Sequence, residues 1–143
     1  MSMLIAAFVC IALLTISIAH FVWGFGFTWP LRDRKLLAQT VVGFTGIEKM
    51  PNRLITLAIA AISFYGSMIA LAIADHDGGG VALNVVGGLI GAIFLARGVI
   101  GYTPQWQAMT AEPIFRLNDR RVYSPICIFI GLGFFTLIVL RLL

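Results

Sequence analysis

Charge is what this sequence has least of. Asp, Glu, Lys and Arg make up 11% of its 143 residues, against roughly 25% in a typical soluble domain. With 60% hydrophobic residues and a mean hydropathy of +1.00, the composition excludes a water-soluble globular protein and a disordered chain alike. Cysteine is scarce too. Cys10 and Cys127 both lie in apolar runs and no C-x-x-C occurs, which argues against a disulfide scaffold or a thiolate metal centre and for small buried apolar residues. Proline is missing from the interior of every long apolar run: Pro30, Pro51, Pro104, Pro113 and Pro125 fall between runs or in a first turn. No charge sits in the middle of a run, so the usual signature of a proton-coupled transporter is lacking. H-E-x-x-H, G-x-x-x-x-G-K-[ST] and a Ser/His/Asp arrangement are lacking as well. No catalytic residue, metal or cofactor is therefore expected.

What the chain does have is four long apolar runs, at residues 3–27, 54–74, 81–101 and 123–143. A run of 21 residues makes a helix about 32 Å long, enough to cross the hydrocarbon of a bilayer. Only helices or closed barrels satisfy their backbone in lipid, and the runs lack the alternation of barrel strands. The expected fold is an all-α membrane protein, one domain over residues 1–143, with four transmembrane helices in an up-down-up-down bundle. The first run has no basic residue before it and is too long for a signal-peptide core, so it is expected to be a retained first helix. Ser124-Pro125 fits an N-cap followed by proline at the first helical position.

The ten Lys and Arg residues give a formal net charge of +4 and an orientation. The first long connection carries Arg32, Arg34, Lys35, Lys49 and Arg53, and the second carries Arg116, Arg120 and Arg121. The short connection Asp75-His76-Asp77-Gly78-Gly79-Gly80 carries none. The positive-inside rule places both long loops in the cytoplasm and both termini outside, in a bacterial inner membrane, with Arg141 the one exception. The same rule explains the basic balance without nucleic acid.

Both loops read as interfacial. Leu36, Leu37, Thr40, Val41, Phe44 and Ile47 fall near one helical face, which suggests a short helix or re-entrant piece, though Gly43 and Gly46 weaken the helix. Trp106, Met109, Ile114, Phe115 and Leu117 of the second loop suit a headgroup layer. Trp23, Trp29, Tyr102, Trp106 and Tyr123 map near the cytoplasmic side, as an aromatic belt does. Gly26-Phe27-Thr28-Trp29-Pro30 and Gly101-Tyr102-Thr103-Pro104 each end a run before a basic loop, a weak echo that fits two parallel hairpins or a shared helix-ending rule.

Small residues mark the packing faces. Gly87-x-x-x-Gly91, with Gly98, lines the third run, and Ser63, Gly66, Ser67, Ala70 and Ala74 line the second. Such faces serve packing within the bundle or association with other membrane helices. His20 lies about 25 Å along the first helix and Arg97 about 24 Å along the third, so both reach the cytoplasmic edge. Asp119 adjoins that edge and can pair with either. His20, Trp23, Arg97, Asp119 and Tyr123 then form either a small polar pocket for a headgroup, a quinone or a polar metabolite, or a charge-paired lock holding the loop to the bundle. Asp75-His76-Asp77 reads as a solvated turn rather than a metal site, with Asp77 a candidate cap for the third helix.

His20-Phe21-Val22-Trp23-Gly24-Phe25-Gly26, the Arg97-Gly98 pair, and Phe115-x-x-x-Asp119-x-x-x-Tyr123-Ser124-Pro125 together carry a resemblance. The chain resembles, over nearly its whole length, a family of small bacterial four-helix membrane proteins catalogued as a domain of unknown function. The resemblance implies a fold and a set of residues but no reaction. The expected role is a non-enzymatic accessory or assembly subunit, a homo-oligomer or part of a larger membrane complex, presenting Trp29, Trp106, Arg116, Arg120 and Arg121 to its partner. The alternative is a binder or enzyme acting on a lipid-soluble or headgroup-type ligand at the cytoplasmic interface through His20, Arg97 and Asp119.

Overall fold

The computed structural model describes residues 1–75 and 78–143. The readings placed on His76 and Asp77, a turn and a helix cap, lie outside the described residues. Every regular element among the described residues is helical, without strands: α1 (Ser2–Gly24), α2 (Arg34–Val41), α3 (Arg53–Ala74), α4 (Gly80–Ile100), α5 (Pro104–Met109), α6 (Pro113–Asn118), a π-helical turn (Asp119–Tyr123) and α7 (Ser124–Leu142). Among the described residues, four helices are long and apolar enough to cross a membrane: α1, α3, α4, and the continuous stretch Pro113–Leu142 that joins α6, the π turn and α7. The chain is an all-α, multi-pass membrane protein.

The long helices pack as antiparallel neighbours. In α1 and α3, Leu13 faces Gly66, Gly24 faces Leu57, and the Ser17 hydroxyl donates to the Ala60 carbonyl at 2.8 Å. In α4 and α7, Gly98 lies against Ile128 while Gly91 meets Gly131 and Phe134. Ile73 of α3 reaches Gly87 of α4. Val9, Leu13, Ile73, Ile130, Phe134 and Leu137 are wholly buried where α1, α3 and α7 converge. Lipid tails are as apolar as these side chains, so close van der Waals packing holds the helices together. Small residues permit that closeness. The face expected on the second run is buried as a set: Ser63, Gly66, Ser67, Ala70 and Ala74. Gly87, Gly91 and Gly98 are the buried positions of α4.

The helix ends differ from the sequence reading in three places. α1 stops at Gly24, short of Phe27, and the chain turns there with Gly26 at φ +88°. α2 ends at Val41, well short of Ile47, because Gly43 turns the chain at φ +74°. A side chain at Gly43 would also collide with the Phe115 ring. The third difference concerns Ser124, which caps no helix. Its neighbour Tyr123 has αR dihedrals, and the helix runs through the π turn into α7 without a break. Pro125 offers no N–H to the turn before it, and widening that turn makes room for its ring.

At one end of the bundle, α2, α5 and α6 fold down as a cap. Thr45 N–H donates to the Met109 carbonyl at 3.1 Å and Glu112 N–H to that of Gly43 at 3.3 Å. The Tyr123 hydroxyl donates to the Thr40 carbonyl at 3.1 Å. Phe115, expected at the headgroups, is buried instead against Gly43, whereas Met109, Ile114 and Leu117 stay exposed. At the other end Arg141 donates from Nη1 to the Ala72 and Ile73 carbonyls, at 3.3 and 3.4 Å, and from Nη2 to Gly78. Its charge meets the open carbonyls and negative dipole end of α3.

The α4–α7 contact yields a direct test. A Cβ on Gly131 would lie 2.8 Å from the Gly91 carbonyl oxygen and from the Leu95 backbone nitrogen, neither of which can rotate away. A Cβ on Gly88 would meet only the Ile138 Cδ1, at 3.8 Å. Gly131→Ala is expected to lower stability by about 1–3 kcal/mol, the usual range for overpacking, while Gly88→Ala leaves the melting temperature in detergent unchanged.

Candidate functional site

Under the cap, a carboxylate is buried where three chain segments meet. Asp119 is 2% exposed and opens the π turn. Its Oδ1 accepts from Arg97 Nη2 at 2.8 Å and from the Ser124 hydroxyl at 3.1 Å. Its Oδ2 accepts from the Trp106 indole N–H at 2.9 Å. Arg97 comes from the last turn of α4, Trp106 from α5, and Ser124 from the first turn of α7. A buried charge is tolerable when it is paired and its lone pairs are filled, and Asp119 meets both conditions.

Arg97 is fixed on several sides. Its guanidinium lies over the Trp106 ring, with Cζ 4.7 Å from the centroid, and Nη1 reaches the Ser124 hydroxyl oxygen at 3.4 Å. Stacking on an indole suits the flat, delocalised cation. Gly101 makes this geometry possible, since a Cβ there would overlap the Ser124 hydroxyl and crowd both Asp119 and Arg97. Arg97 is therefore held inward rather than stretched out to a headgroup layer. Its side chain keeps 30% exposure and forms part of the wall of a cavity.

The cavity has a volume of about 200 Å³. His20, Trp23, Arg97 and Trp106 are on its wall, with Phe44 and Phe115 from the cap and Ile59 from α3. His20 Nδ1 lies 2.8 Å from the Ile16 carbonyl, which can only accept, so Nδ1 carries the proton. In the neutral ring Nε2 is then an acceptor. The His20 and Trp23 rings sit 5.1 Å apart, tilted at 57°. Trp23 donates its indole N–H to the Trp29 carbonyl at 2.8 Å, tying down the chain after α1.

The five residues expected to cluster thus divide into two groups. His20, Trp23 and Arg97 line the cavity. Asp119 stands behind Arg97 and pairs with it rather than with His20. Tyr123 is turned away, with its hydroxyl on the Thr40 carbonyl and its ring against Phe115. Of the residues expected to meet a partner, Trp29, Arg116, Arg120 and Arg121 are exposed. Trp106 is half-buried instead, with its N–H drawn to Asp119 and its ring to Arg97. Ser124 and Gly101 went unrecognised as parts of the site. Gly101 had one visible signal, its place four residues after Arg97 on the same helical face.

Trp106→Phe keeps a ring over Arg97 but removes the donor to Asp119 Oδ2. It is expected to destabilise the protein by about 1.5–3 kcal/mol, the usual value of a hydrogen bond to a charged group. Arg116→Ala, on the exposed face of α6, should change stability by less than about 0.5 kcal/mol. Paired thermal melts in the same detergent check the contrast.

No curated protein and no solved structure matches the chain. One family model does, over residues 13–134, and its description is "Protein of unknown function (DUF3995)". The match takes in α1 from Leu13, all of the cap and most of α7, and it includes His20, Trp23, Arg97, Trp106, Asp119 and Ser124. The chain belongs to this family of proteins of unknown function.

Proposed function

We propose that the protein is a non-enzymatic binding protein of the bacterial inner membrane, which holds the polar end of a lipid-soluble molecule in the cavity beneath its cap. The carrying observation is the Arg97 guanidinium, anchored by Asp119 and Ser124 yet partly open to a cavity shared with His20 and four aromatic rings. Ligand sites of this kind are mostly apolar walls with a few convergent polar groups. Asp119 already balances the Arg97 charge, so the remaining guanidinium N–H groups suit a neutral acceptor: an ester or quinone carbonyl. His20 Nε2 suits a hydroxyl donor. The long basic connections favour a cytoplasmic side for the cap, and with it the cavity. The same reading puts the termini outside.

A second reading rests on another observation. Arg116, Arg120 and Arg121 are exposed and none pairs with a carboxylate among the described residues. An accessory or assembly subunit would dock a complementary acidic surface there. The small faces of α3 and α4 are already filled within the bundle, so association through them is not part of this reading.

Native mass spectrometry of protein extracted in mild detergent separates the two. The binding reading predicts one recurrent lipid-soluble adduct on a monomer or dimer. Arg97→Lys keeps the charge opposite Asp119 but loses the planar fork, and should weaken adduct retention about tenfold, as expected for one lost charge-assisted hydrogen bond. Arg120→Ala should leave it unchanged. A stoichiometric protein complex with no adduct, lost on charge reversal at Arg116, Arg120 and Arg121, would favour the subunit reading instead.

A further inference from the structure

A second and larger hollow, of about 660 Å³, adjoins the cavity. The two share Trp23, Met50 and Pro51 in their walls. Their chemistry differs sharply. The cavity contains one cation, already paired. The hollow is walled by Arg34, Lys35, Lys49 and Arg53, together with Asp33 and Glu48.

Both carboxylates are engaged. Glu48 pairs with Lys35 at 3.2 Å, and Asp33 caps α2, accepting from Leu36 N–H at 2.9 Å. Arg34, Lys49 and Arg53 have no carboxylate partner among the described residues. Two of these three are positioned rather than freely waving. The Arg53 guanidinium lies over the Phe25 ring, 4.9 Å from its centroid, and Arg34 Nη2 donates to the Gly26 carbonyl at 3.4 Å. Both contacts bring the cations to the turn that ends α1, beside Trp23. Three unpaired cations against the one carboxylate not matched by a cation, Asp33, leave the hollow net positive; that balance favours an anion, and planar guanidinium groups favour phosphate.

The phosphate also has a reason to be attached to a lipid. Beyond the shared wall, the cavity is lined by Arg97 and His20 and by Ile59, which is 40% exposed and lies farther along α3 than Arg53. Ile55 and Ile62 of the same helix are also exposed. The order is cation hollow, carbonyl-binding cavity, apolar helix face. A phosphate, an ester and an acyl chain occur in the same order in a glycerophospholipid.

We infer that the hollow and the cavity form one site for a phosphate-bearing acyl lipid: Arg34, Lys49 and Arg53 hold the phosphate, Arg97 the ester carbonyl, and α3 the chain. This rests on the cavity binding reading and names its ligand class.

The test uses the full chain in non-ionic detergent and three probes: oleoyl lysophosphatidate, monooleoylglycerol and inorganic phosphate. Binding is followed through tryptophan fluorescence, since Trp23 borders both compartments. The wild-type protein should bind lysophosphatidate about tenfold more tightly than monooleoylglycerol, from three partly exposed charge contacts, with a preference that shrinks at high salt. The triple variant Arg34→Gln, Lys49→Gln, Arg53→Gln should lose the preference and keep its affinity for monooleoylglycerol, which also reports that it is folded. Equal wild-type affinity for the two lipids would overturn the phosphate assignment and leave the cavity reading standing. Binding of neither lipid would overturn the acyl-lipid assignment, and the cavity reading would then stand or fall on the adduct seen in native mass spectrometry. Inorganic phosphate binding as tightly as lysophosphatidate would make the hollow a site for the free ion and overturn the lipid assignment. A preference that survives in the triple variant would remove these three residues from the site.

Discussion

A carboxylate inside a membrane protein has to be neutralised, and at Asp119 that requirement organises one end of the molecule. Its partners come from three different helices: Arg97 on α4, Trp106 on α5, and Ser124 at the start of α7. Satisfying one buried charge therefore fixes the end of α4, the fold of the second cap segment and the entry of the last helix together. A polar network of this kind is stable when every member has its partners and unstable when one is missing. It also aims Arg97, because a guanidinium held from behind by Asp119 and from its face by Trp106 has few directions left open.

The bundle follows a different rule. With no hydrophobic force between helices in lipid, closeness matters most, and the glycines of α4 and α7 provide it. Gly98 lets the Ile128 backbone approach, and Gly101 leaves room for the Asp119 network one turn later. The same small residues that pack α4 on α7 thus set the distance across which Arg97 meets Asp119. At the opposite end, Arg141 closes the α3 terminus and holds α7 in register with it. An Arg that looks misplaced by loop charge counting has a helix-capping reason for its position.

The four long helices were legible because each apolar run is long and uninterrupted, and length alone decides spanning in lipid. The packing faces were legible too, since Ser63, Gly66, Ser67 and Ala70 repeat at helical spacing, although only the fold shows that they are buried within the bundle. Asp119 could be placed at the same edge as Arg97 and His20 by counting helical rise. The choice between those two partners needed three dimensions. So did the inward turn of Trp106, because an aromatic in a loop looks alike whether it rests on headgroups or stacks on a buried cation. The continuity of α6 through the π turn into α7 was hidden by Ser124-Pro125, which normally starts a helix. The basic hollow was hidden for another reason: Arg34 and Arg53 are nineteen positions apart in the sequence, and only the cap fold brings them to the same turn of α1.

The most direct measurement is a double-mutant cycle between Arg97 and Asp119, with Arg97→Met, Asp119→Leu and the double variant compared by unfolding in one detergent. If Asp119 is the organising charge, each single variant strands a partner and loses about 3 kcal/mol, whereas the double variant recovers most of that loss. Ligand binding should stay lost in the double variant, since the restored stability brings no guanidinium back to the cavity. Additive losses, with the double variant the least stable of the set, would mean that the two residues act separately and would contradict the account.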